Sequence, residues 1–313
     1  MAFRESYRSQ AALLTRILPF IAEEACFALK GGTAINLFMR NMPRLSVDID
    51  LAYVPVAPRG ESLVAIEAAL KRIAADVIRR LGDAHVAEAT QEDVVTKLNV
   101  RQGQVQIKIE VATNFRGCVY EPETRSVSEA VEAAFGFAEI PVLSFADLYA
   151  GKIVAALDRQ LPHDLFDVRD LLANEGIDDI LRRTFIVYLL GHPRPMPAVL
   201  APTRKDISAE YTSSFQGMTD EPLPLEELLA AREALIADIV GKMPKDHRRF
   251  LVSFEREEPD WTLLGLPGAA ALPAIKRRQQ KLSKLTAEQR NSRIAWLEGV
   301  LAECPRPASI EDN

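Results

Sequence analysis

The segment from Phe27 to Leu51 decides the fold, and its sequence is FALKGGTAINLFMRNMPRLSVDIDL. It begins with a short apolar run that ends in two glycines, continues with a segment of helical periodicity, and ends with two aspartates that alternate with aliphatic residues. This order predicts a strand at Phe27–Lys30, a tight turn, a helix at Ala34–Arg40 and a second strand. It also places a glycine turn close in sequence to a pair of carboxylates.

The two carboxylates lie on one face of the second predicted strand. From Ser46 to Tyr53 polar and apolar residues alternate strictly, so Asp48 and Asp50 share one side and aliphatic residues the other. Magnesium prefers oxygen ligands and needs only one or two carboxylates when substrate phosphates supply others. We therefore predict Mg²⁺ as the cofactor, with Asp48 and Asp50 as its ligands. Ser46, on the same face, is included among the candidate nucleotide-binding residues.

The glycine turn is the candidate phosphate-binding element. Backbone amides at Gly31, Gly32 and Thr33 can approach a triphosphate closely, because glycine has no Cβ atom. Thr33 is also predicted to cap the N-terminus of the following helix through its hydroxyl group. A turn of this kind is by itself more often structural, and a lone Asp-x-Asp pair is as often a solvated surface. Their occurrence together favours a functional site.

A third acid is predicted from a later pair of strands. Alternation and an intervening glycine predict strands at Val94–Arg101 and Val105–Ala112, joined as a hairpin. Glu110 lies on the polar face of the second strand and is the candidate third carboxylate. Lys108 lies on the same face, so a surface ion pair between the two side chains is the alternative interpretation.

Helical periodicity dominates the rest of the chain. It predicts helix throughout after Gly176 and, before that point, helices at Ser6–Phe27 (bent or split at Pro19), Ser62–Leu81, Phe145–Asp158 (with Ser144 as N-cap) and His163–Leu172.

Two of these helices carry further candidate site residues. Lys152, and Arg44 earlier in the chain, would provide positive charges for the outer phosphates, with Lys152 as a mobile charge. A structural lysine whose stem packs among aliphatic residues is the alternative for Lys152. Asp164 would orient either an acceptor hydroxyl group or Lys152 itself, and His163 beside it is interpreted as a residue at the start of a helix.

Composition limits the possible classes of protein. The 313 residues include 38 basic and 44 acidic side chains, a net charge of −6, so the chain is not a polycation that coats nucleic acid. Any RNA contact would use local basic segments: Lys276, Arg277 and Arg278 with Lys281 and Lys284, or Lys245 with Arg248 and Arg249.

The cysteines and the apolar segments indicate a cellular compartment. The three cysteines, Cys26, Cys118 and Cys304, are far apart, which is typical of free thiols in a reducing environment. No run approaches the roughly 20 apolar residues that a membrane span needs. The sequence therefore predicts a cytoplasmic protein with no membrane contact.

These motifs together resemble the nucleotidyltransferase superfamily, in which a glycine turn precedes an Asp-x-Asp strand and a later strand supplies a third acid. More specifically, the chain resembles the AbiEii toxin family of abortive-infection toxin–antitoxin systems. The resemblance rests on six segments: LKGGTA at 29–34, RLSVDIDL at 44–51, GKIVAALDR at 151–159, HDLFD at 163–167, FLVS at 250–253 and EPDW at 258–261.

The resemblance implies a fold and an activity. The fold is an α/β (α+β) mixed sheet with flanking helices at residues 1–140, followed by a mostly helical domain at residues 141–313 that contributes to the site. The substrates are a nucleoside triphosphate, with magnesium, and an acceptor that in some members is the tRNA 3′ end. The partner is an antitoxin with a winged-helix DNA-binding domain.

The resemblance also assigns roles to residues. The first motif is Gly31, Gly32 and Thr33; the metal-binding second motif is Asp48 and Asp50; the third is Lys152 and the fourth Asp164. Two positions depart from the pattern. His163 stands where arginine or lysine is usual, and Glu110 stands where the superfamily more often has aspartate.

Two other functions are compatible with some of the motifs. A metal-dependent phosphohydrolase could use His163 and Asp164, but such a site needs several histidines and the four in this chain are widely scattered. A non-catalytic nucleotide-binding module could keep the glycine turn. The intact pair of Asp48 and Asp50 argues against this, because a site used only for binding gains nothing from additional like charges.

Overall fold

A computed structural model describes residues 5–303 of the chain, so Cys304 lies outside the described residues. The chain divides into two compact units. Unit 1 comprises Met1–Leu148 and Thr212–Leu223, and unit 2 comprises Tyr149–Tyr211 and Pro224–Asn313. The predicted division into a catalytic domain at residues 1–140 and a helical domain at residues 141–313 stays a prediction.

Unit 1 contains a mixed sheet, as predicted, and the sheet has seven strands. Its strand order is β3-β4-β5-β2-β1-β7-β6, with β2 parallel to β5, β1 parallel to β7 and the other neighbours antiparallel. The strands are β1 Phe27–Lys30, β2 Asp48–Tyr53, β3 Ala84–Gln91, β4 Val94–Gln102, β5 Val105–Ala112, β6 Glu123–Ser126 and β7 Glu139–Val142.

Helices flank this sheet. Those of unit 1 are α1 Glu5–Ala22, α2 Gly31–Ala34, α3 Arg59–Arg80 and α4 Glu129–Phe135, and α5 Phe145–Asp158 runs from unit 1 into unit 2. Helix α1 contacts β5 and β7, and α3 contacts β3 and β4. Pro19 lies inside α1 and does not split it. Ser144 caps α5 as predicted, because its Oγ accepts a hydrogen bond from the Asp147 amide (3.0 Å).

The apolar face of the sheet forms the core of unit 1. The strand register aligns Leu98, Ile109 and Ile49 across β4, β5 and β2. It likewise aligns Leu51 and Leu29 across β2 and β1, and all five side chains are fully buried. Because side chains alternate along a strand, this burial directs Asp48, Asp50 and Glu110 to the opposite face.

Unit 2 is helical, as the periodicity after Gly176 predicts. Its helices are α6 Pro162–Asn174, α7 Asp179–Gly191, α8 Met196–Leu200, α9 Ser208–Glu210, α10 Leu225–Ile236, α11 Lys245–Glu255, α12 Pro273–Leu282 and α13 Ala287–Glu303. A π-helical turn, Ala237–Gly241, continues α10. Among residues 5–303, none of the helices has both the length and the apolar character needed to cross a bilayer.

Four local expectations differ from the structure. The helix predicted at Ser6–Phe27 ends at Ala22. The helix predicted at Ala34–Arg40 begins at Gly31 and continues as a π-helical segment, Ile35–Met39, so its N-cap is Lys30. The prediction that Thr33 caps this helix is wrong, because the Thr33 hydroxyl group donates to the backbone oxygen of Asp48 instead. Strand β2 begins at Asp48, two residues later than predicted. Cys26 and Cys118 are free thiols, as expected.

Candidate functional site

The glycine turn lies directly against β2. Gly31 has φ +74°, a left-handed conformation that residues with a Cβ atom seldom adopt. A Cβ atom on Gly31 would lie 2.6 Å from Asp50 Oδ2, and one on Gly32 would lie 2.6 Å from Arg44 Nη2 and 3.2 Å from Ser46 Oγ. A Cβ atom at either position would therefore force the neighbouring side chain to move, and at Gly31 the positive φ adds backbone strain.

Buried polar side chains fix the turn to the start of β2. Thr33 Oγ1 donates to the Asp48 backbone oxygen and lies 2.9 Å from Ser46 Oγ. Arg44 is 2% exposed, and its Nη1 donates to the Leu45 backbone oxygen (3.0 Å). Asn36 Nδ2 donates to the Gly32 backbone oxygen (2.9 Å). The structure thus brings Thr33, Arg44 and Ser46 together around the turn, where each has an observed contact within the protein.

Five charged side chains, three acidic and two basic, lie together on the polar face of the sheet. The register pairs Asp50 with Glu110 across β2 and β5, Asp48 with Lys108 across the same strands, and Glu110 with Lys97 across β5 and β4. We call these five residues the charged face. The sequence-predicted acids Asp48, Asp50 and Glu110 are therefore neighbours in the fold.

The lysines of the charged face contact two of its carboxylates. Lys108 Nζ lies 3.5 Å from Asp48 Oδ2 and 3.1 Å from Glu110 Oε2, and Lys97 Nζ lies 3.4 Å from Glu110 Oε1. The ion pair that the sequence offered as the alternative for Glu110 is thus present. All four of these side chains are one-third to one-half exposed, so the pairs add little to the free energy of unfolding.

The charged groups also shift one another's pKa values. Burial raises the pKa of Asp48 above its ordinary value, Lys108 opposes this shift, and Asp50 adds to it. Burial acts to raise the pKa of Glu110, but Lys108 and Lys97 outweigh it, so that pKa is lowered. Burial acts to lower the pKa of Lys108, but Asp48 and Glu110 outweigh it, so that pKa is raised. Lys108 therefore stays charged at neutral pH.

Metal binding at the charged face depends on which of its carboxylate oxygens a cation could reach. Within residues 5–303, no three or more His, Cys, Asp or Glu side chains are grouped so that they could hold an ion. Between Asp48 and Glu110 the Lys108 ammonium lies within 3.5 Å of each carboxylate. The adjacent Asp48 and Asp50 still provide the two hard oxygen donors that suit magnesium when a substrate supplies the rest.

Lys152 and Asp164 form a second buried cluster, within unit 2. Lys152 Nζ donates to Asp164 Oδ1 (2.9 Å) and lies 2.9 Å from Asp167 Oδ2. Arg159 Nη2 lies 2.9 Å from Asp164 Oδ2, and His163 Nε2 lies 3.5 Å from Asp164 Oδ1. The Lys152 side chain is 5% exposed and both aspartates are fully buried.

Asp164 contacts Lys152 directly, which is compatible with the predicted role in which Asp164 orients Lys152, and its role toward an acceptor hydroxyl group stays a prediction. With partners at Asp164 and Asp167, the Lys152 ammonium is held in place rather than mobile. Burial acts to raise the pKa of Asp164, but the positive charges of Lys152, His163 and Arg159 outweigh it, so the pKa is lowered. Sequence reasoning missed Asp167 as the second partner, although its spacing of three residues from Asp164 places both on one side of α6.

The predicted basic segments are only partly available for RNA. Arg278 is 5% exposed, and its Nη1 donates to the backbone oxygen of Arg194 (3.0 Å). Arg248 is half-buried and donates to the backbone oxygens of Met243 and Gly241. These two arginines stabilise the helical packing of unit 2. The exposed members of the first segment are Lys276, Lys281 and Lys284.

The mixed sheet, with a glycine turn packed against an Asp-x-Asp strand, is the arrangement expected of a nucleotidyltransferase. Residues 12–278 match the family described as "Nucleotidyl transferase AbiEii toxin, Type IV TA system". Because this match covers most of the sequence, the chain belongs to the AbiEii family of nucleotidyl transferase toxins of type IV toxin–antitoxin systems. The resemblance seen in the sequence is therefore confirmed.

A solved structure has a similar fold. MenT4, a nucleotidyltransferase toxin from Mycobacterium tuberculosis H37Rv, matches with a TM-score of 0.55 and 16% sequence identity. The match covers 96% of this chain and 94% of that one. At this identity the likeness is one of fold. No curated protein sequence matches the chain.

We expect Gly31→Ala to destabilise the protein by about 1–3 kcal/mol, because alanine is strained at positive φ and its Cβ would meet the Asp50 carboxylate. The matched control is Gly60→Ala. A Cβ atom at Gly60 has nothing within 4 Å, and that variant should be unchanged or up to about 1 kcal/mol more stable. Urea unfolding of both variants measures the difference, and equal stability would contradict the predicted clash.

We expect Lys152→Met to lower the free energy of unfolding by about 3–5 kcal/mol at pH 7, because it leaves two buried carboxylates without their shared cation. The control is Lys71→Met. Lys71 pairs with Glu67 on the surface and is 53% exposed, so its loss should cost less than about 0.5 kcal/mol. Urea unfolding measures both values.

The loss caused by Lys152→Met should also depend on pH. In the wild type the folded pKa of Asp164 lies below its ordinary 3.8, so its stabilisation is present above pH 3.8 and disappears as the pH falls through the folded value. Without Lys152 the pKa of Asp164 in the folded protein should rise, and protonation of its carboxylate then removes part of the cost of burying the charge. The difference between variant and wild type should therefore shrink from pH 7 to pH 5. A constant difference would mean that the two aspartates are not the source of the effect.

Proposed function

We propose that the protein transfers nucleotides from a nucleoside triphosphate to the 3′ end of an RNA, in a reaction that depends on magnesium. A tRNA is the first acceptor to test. The family supplies the general reaction, nucleotidyl transfer, and its setting, a toxin–antitoxin system. The particular substrates and the metal are our assignment.

One observation carries the proposal: the candidate phosphate-binding turn and the candidate metal ligands are in direct contact. The backbone at Gly31 approaches Asp50 so closely that a Cβ atom would lie 2.6 Å from its carboxylate oxygen. Asp50 in turn has Glu110 as its register partner. A triphosphate bound to the amides of the turn would therefore lie beside the carboxylates that hold its metal ion.

The chemistry needs charge compensation and positioning more than covalent help. The acceptor hydroxyl group loses its proton to solvent as its oxygen attacks the α-phosphorus, the bond between that phosphorus and the bridging oxygen breaks, and pyrophosphate leaves. Negative charge accumulates on phosphate oxygens during this step. The backbone amides at Gly31, Gly32 and Thr33 would bind these oxygens, and the buried contacts of Thr33 and Arg44 would keep the turn in position.

Asp48 and Asp50 are the residues that would hold magnesium. They are adjacent on one face of β2, and their side-chain oxygens are the hard donors that this ion prefers. When bound, the ion supplies positive charge to the triphosphate oxygens. Glu110, Lys152 and Asp164 remain proposed as further residues of the reaction, with Lys152 as a fixed positive charge.

The family implies an antitoxin that counters the activity. We propose that it carries a winged-helix DNA-binding domain, as the sequence resemblance suggests. Co-expression of the toxin with the adjacent gene product, followed by a growth assay and a DNA-binding assay, tests this directly. Rescue of growth by a protein without DNA affinity would contradict the proposed antitoxin type.

We expect Asp48→Asn to reduce nucleotide incorporation by about 100-fold or more, because it removes one of two metal ligands. The assay combines purified protein, Mg²⁺, total cellular RNA and each labelled triphosphate in turn, and the labelled 3′ ends are then sequenced. Growth inhibition on expression should be lost in the same variant. This experiment also identifies the triphosphate and the acceptor.

The matched control is Asp93→Asn. Asp93 is an exposed carboxylate at positive φ in the turn between β3 and β4, where asparagine is well tolerated. It should incorporate nucleotides like the wild type. Full activity of Asp48→Asn would refute the proposed metal site. Triphosphate binding without incorporation into any RNA pool would favour the non-catalytic binding module.

We expect the double variant Lys276→Glu/Lys281→Glu to raise KM for RNA by on the order of tenfold with little change in kcat, because these exposed lysines would contact phosphates away from the reacting atoms. Lys71→Glu, on the surface of α3, is the control and should leave both constants unchanged. An unaltered KM in the double variant would exclude this segment as an RNA contact.

A further inference from the structure

Lys108 is a charged residue at the centre of the candidate site that the proposed function leaves without a role. It lies opposite Asp48 in the register of β2 and β5, and it precedes Glu110 by two residues on the same face of β5. Its Nζ lies 3.5 Å from Asp48 Oδ2 and 3.1 Å from Glu110 Oε2. The sheet itself therefore directs an ammonium group to the space between two carboxylates.

Both carboxylate oxygens of Glu110 contact lysines of the charged face. Its Oε1 lies 3.4 Å from Lys97 Nζ, and its Oε2 lies 3.1 Å from Lys108 Nζ. Each oxygen of this carboxylate thus has an ammonium group beside it. A divalent cation bound by Glu110 would have to displace at least one of them, against the repulsion between two cations.

The position of Lys108 corresponds to that of a second metal ion. Sites with two divalent ions hold them about 3.5–4 Å apart and need carboxylates that reach both. Here Asp48 presents Oδ2 to Lys108, and Glu110 is on the other side of the ammonium. In a site with two ions, one carboxylate bridges both ions and another binds only the second. Asp48 and Glu110 are placed around Lys108 as these two carboxylates are placed around the second ion.

We propose that Lys108 supplies the positive charge that a second divalent cation would otherwise bring between Asp48 and Glu110, so that the site takes one metal ion. Glu110 is then a positioning residue that holds Lys108. The inference rests on the proposed function, which assigns one ion to Asp48 and Asp50.

The charges of the face agree with this assignment. Three carboxylates and two ammonium groups leave one net negative charge, and a single divalent cation changes it to one net positive charge, which suits a polyanionic triphosphate. Without the lysines, one divalent cation would leave the face negative and two would be needed. The two lysines together carry the charge of a divalent ion, and Lys108 is the one that contacts both Asp48 and Glu110.

The test is the number of Mn²⁺ ions bound by the full chain without nucleotide, measured by isothermal titration calorimetry and by electron paramagnetic resonance. The wild type should bind one ion, and Asp48→Asn should lose it. Lys108→Met should bind a second ion, or bind the first about tenfold more tightly, because a competing positive charge has been removed. Lys108→Arg retains the charge and should bind like the wild type.

Two further variants locate the second ion. In Lys108→Met/Glu110→Gln it should disappear, because Glu110 is its predicted ligand. Lys97→Met, which removes an ammonium that contacts Glu110 but not Asp48, should still bind one ion. Circular dichroism checks that each variant is folded, and Lys108→Gln replaces Lys108→Met if the methionine variant is not.

The outcomes separate this inference from the proposed function. If the wild type binds one ion that depends on Asp48, but the neutral Lys108 variant matches it in number and affinity, the role of Lys108 is overturned and the metal site stands. A second ion that persists in Lys108→Met/Glu110→Gln would likewise overturn the inference. If the wild type shows no binding that depends on Asp48, both the proposed metal site and the inference fail.

Discussion

The close approach of Gly31 to Asp50 is the constraint on which the rest of the site depends. Strand β1 ends at Lys30, whose register partner on β2 is Asp50, and the chain then turns at once into a helical segment. Only a residue without a Cβ atom, in a left-handed conformation, can turn at that point without meeting the carboxylate. The turn and the aspartates are therefore one structural unit, fixed by two adjacent antiparallel strands.

The charged face shows how a sheet tolerates three neighbouring acids. Like charges placed side by side on adjacent strands repel, and burial makes this repulsion stronger. Lys97 and Lys108 occupy the positions between and beside the acids, which is reflected in the lowered pKa of Glu110 and the raised pKa of Lys108. In unit 2, the buried cluster of Lys152 with Asp164 and Asp167 likewise places a cation beside two carboxylates. Less solvent is present there to screen the charges.

Much of the fold was predictable because local pattern and tertiary packing agree. The β4–β5 hairpin and helix α5 have regular periodicity, and the structure matches the expected bounds of α5. The strands that sequence reasoning missed are β3, β6 and β7. Most of β3 is exposed, β6 is a short polar run of four residues and β7 contains a proline, so the local strand pattern is weak in each of them. The pairing of β7 with β1 also joins segments that are distant in the sequence.

The same reason explains which parts of the candidate site were predictable. The grouping of Asp48, Asp50 and Glu110 follows from alternation, and the structure places them together. The hydrogen bond of Thr33 to Asp48, the burial of Arg44 and the clamping of Lys152 by Asp167 depend on tertiary contacts. No local pattern in the sequence contains those contacts.

The alternation from Asp48 to Leu51 in β2 also has a consequence for how the charged face is assembled. A slip of one residue in the pairing of this strand would exchange the aspartates with Ile49 and Leu51, so the core and the charged face would be lost together. The charged face is therefore assembled only when β2 pairs in register with β1 and β5, so the folding of this sheet and the assembly of the face are coupled.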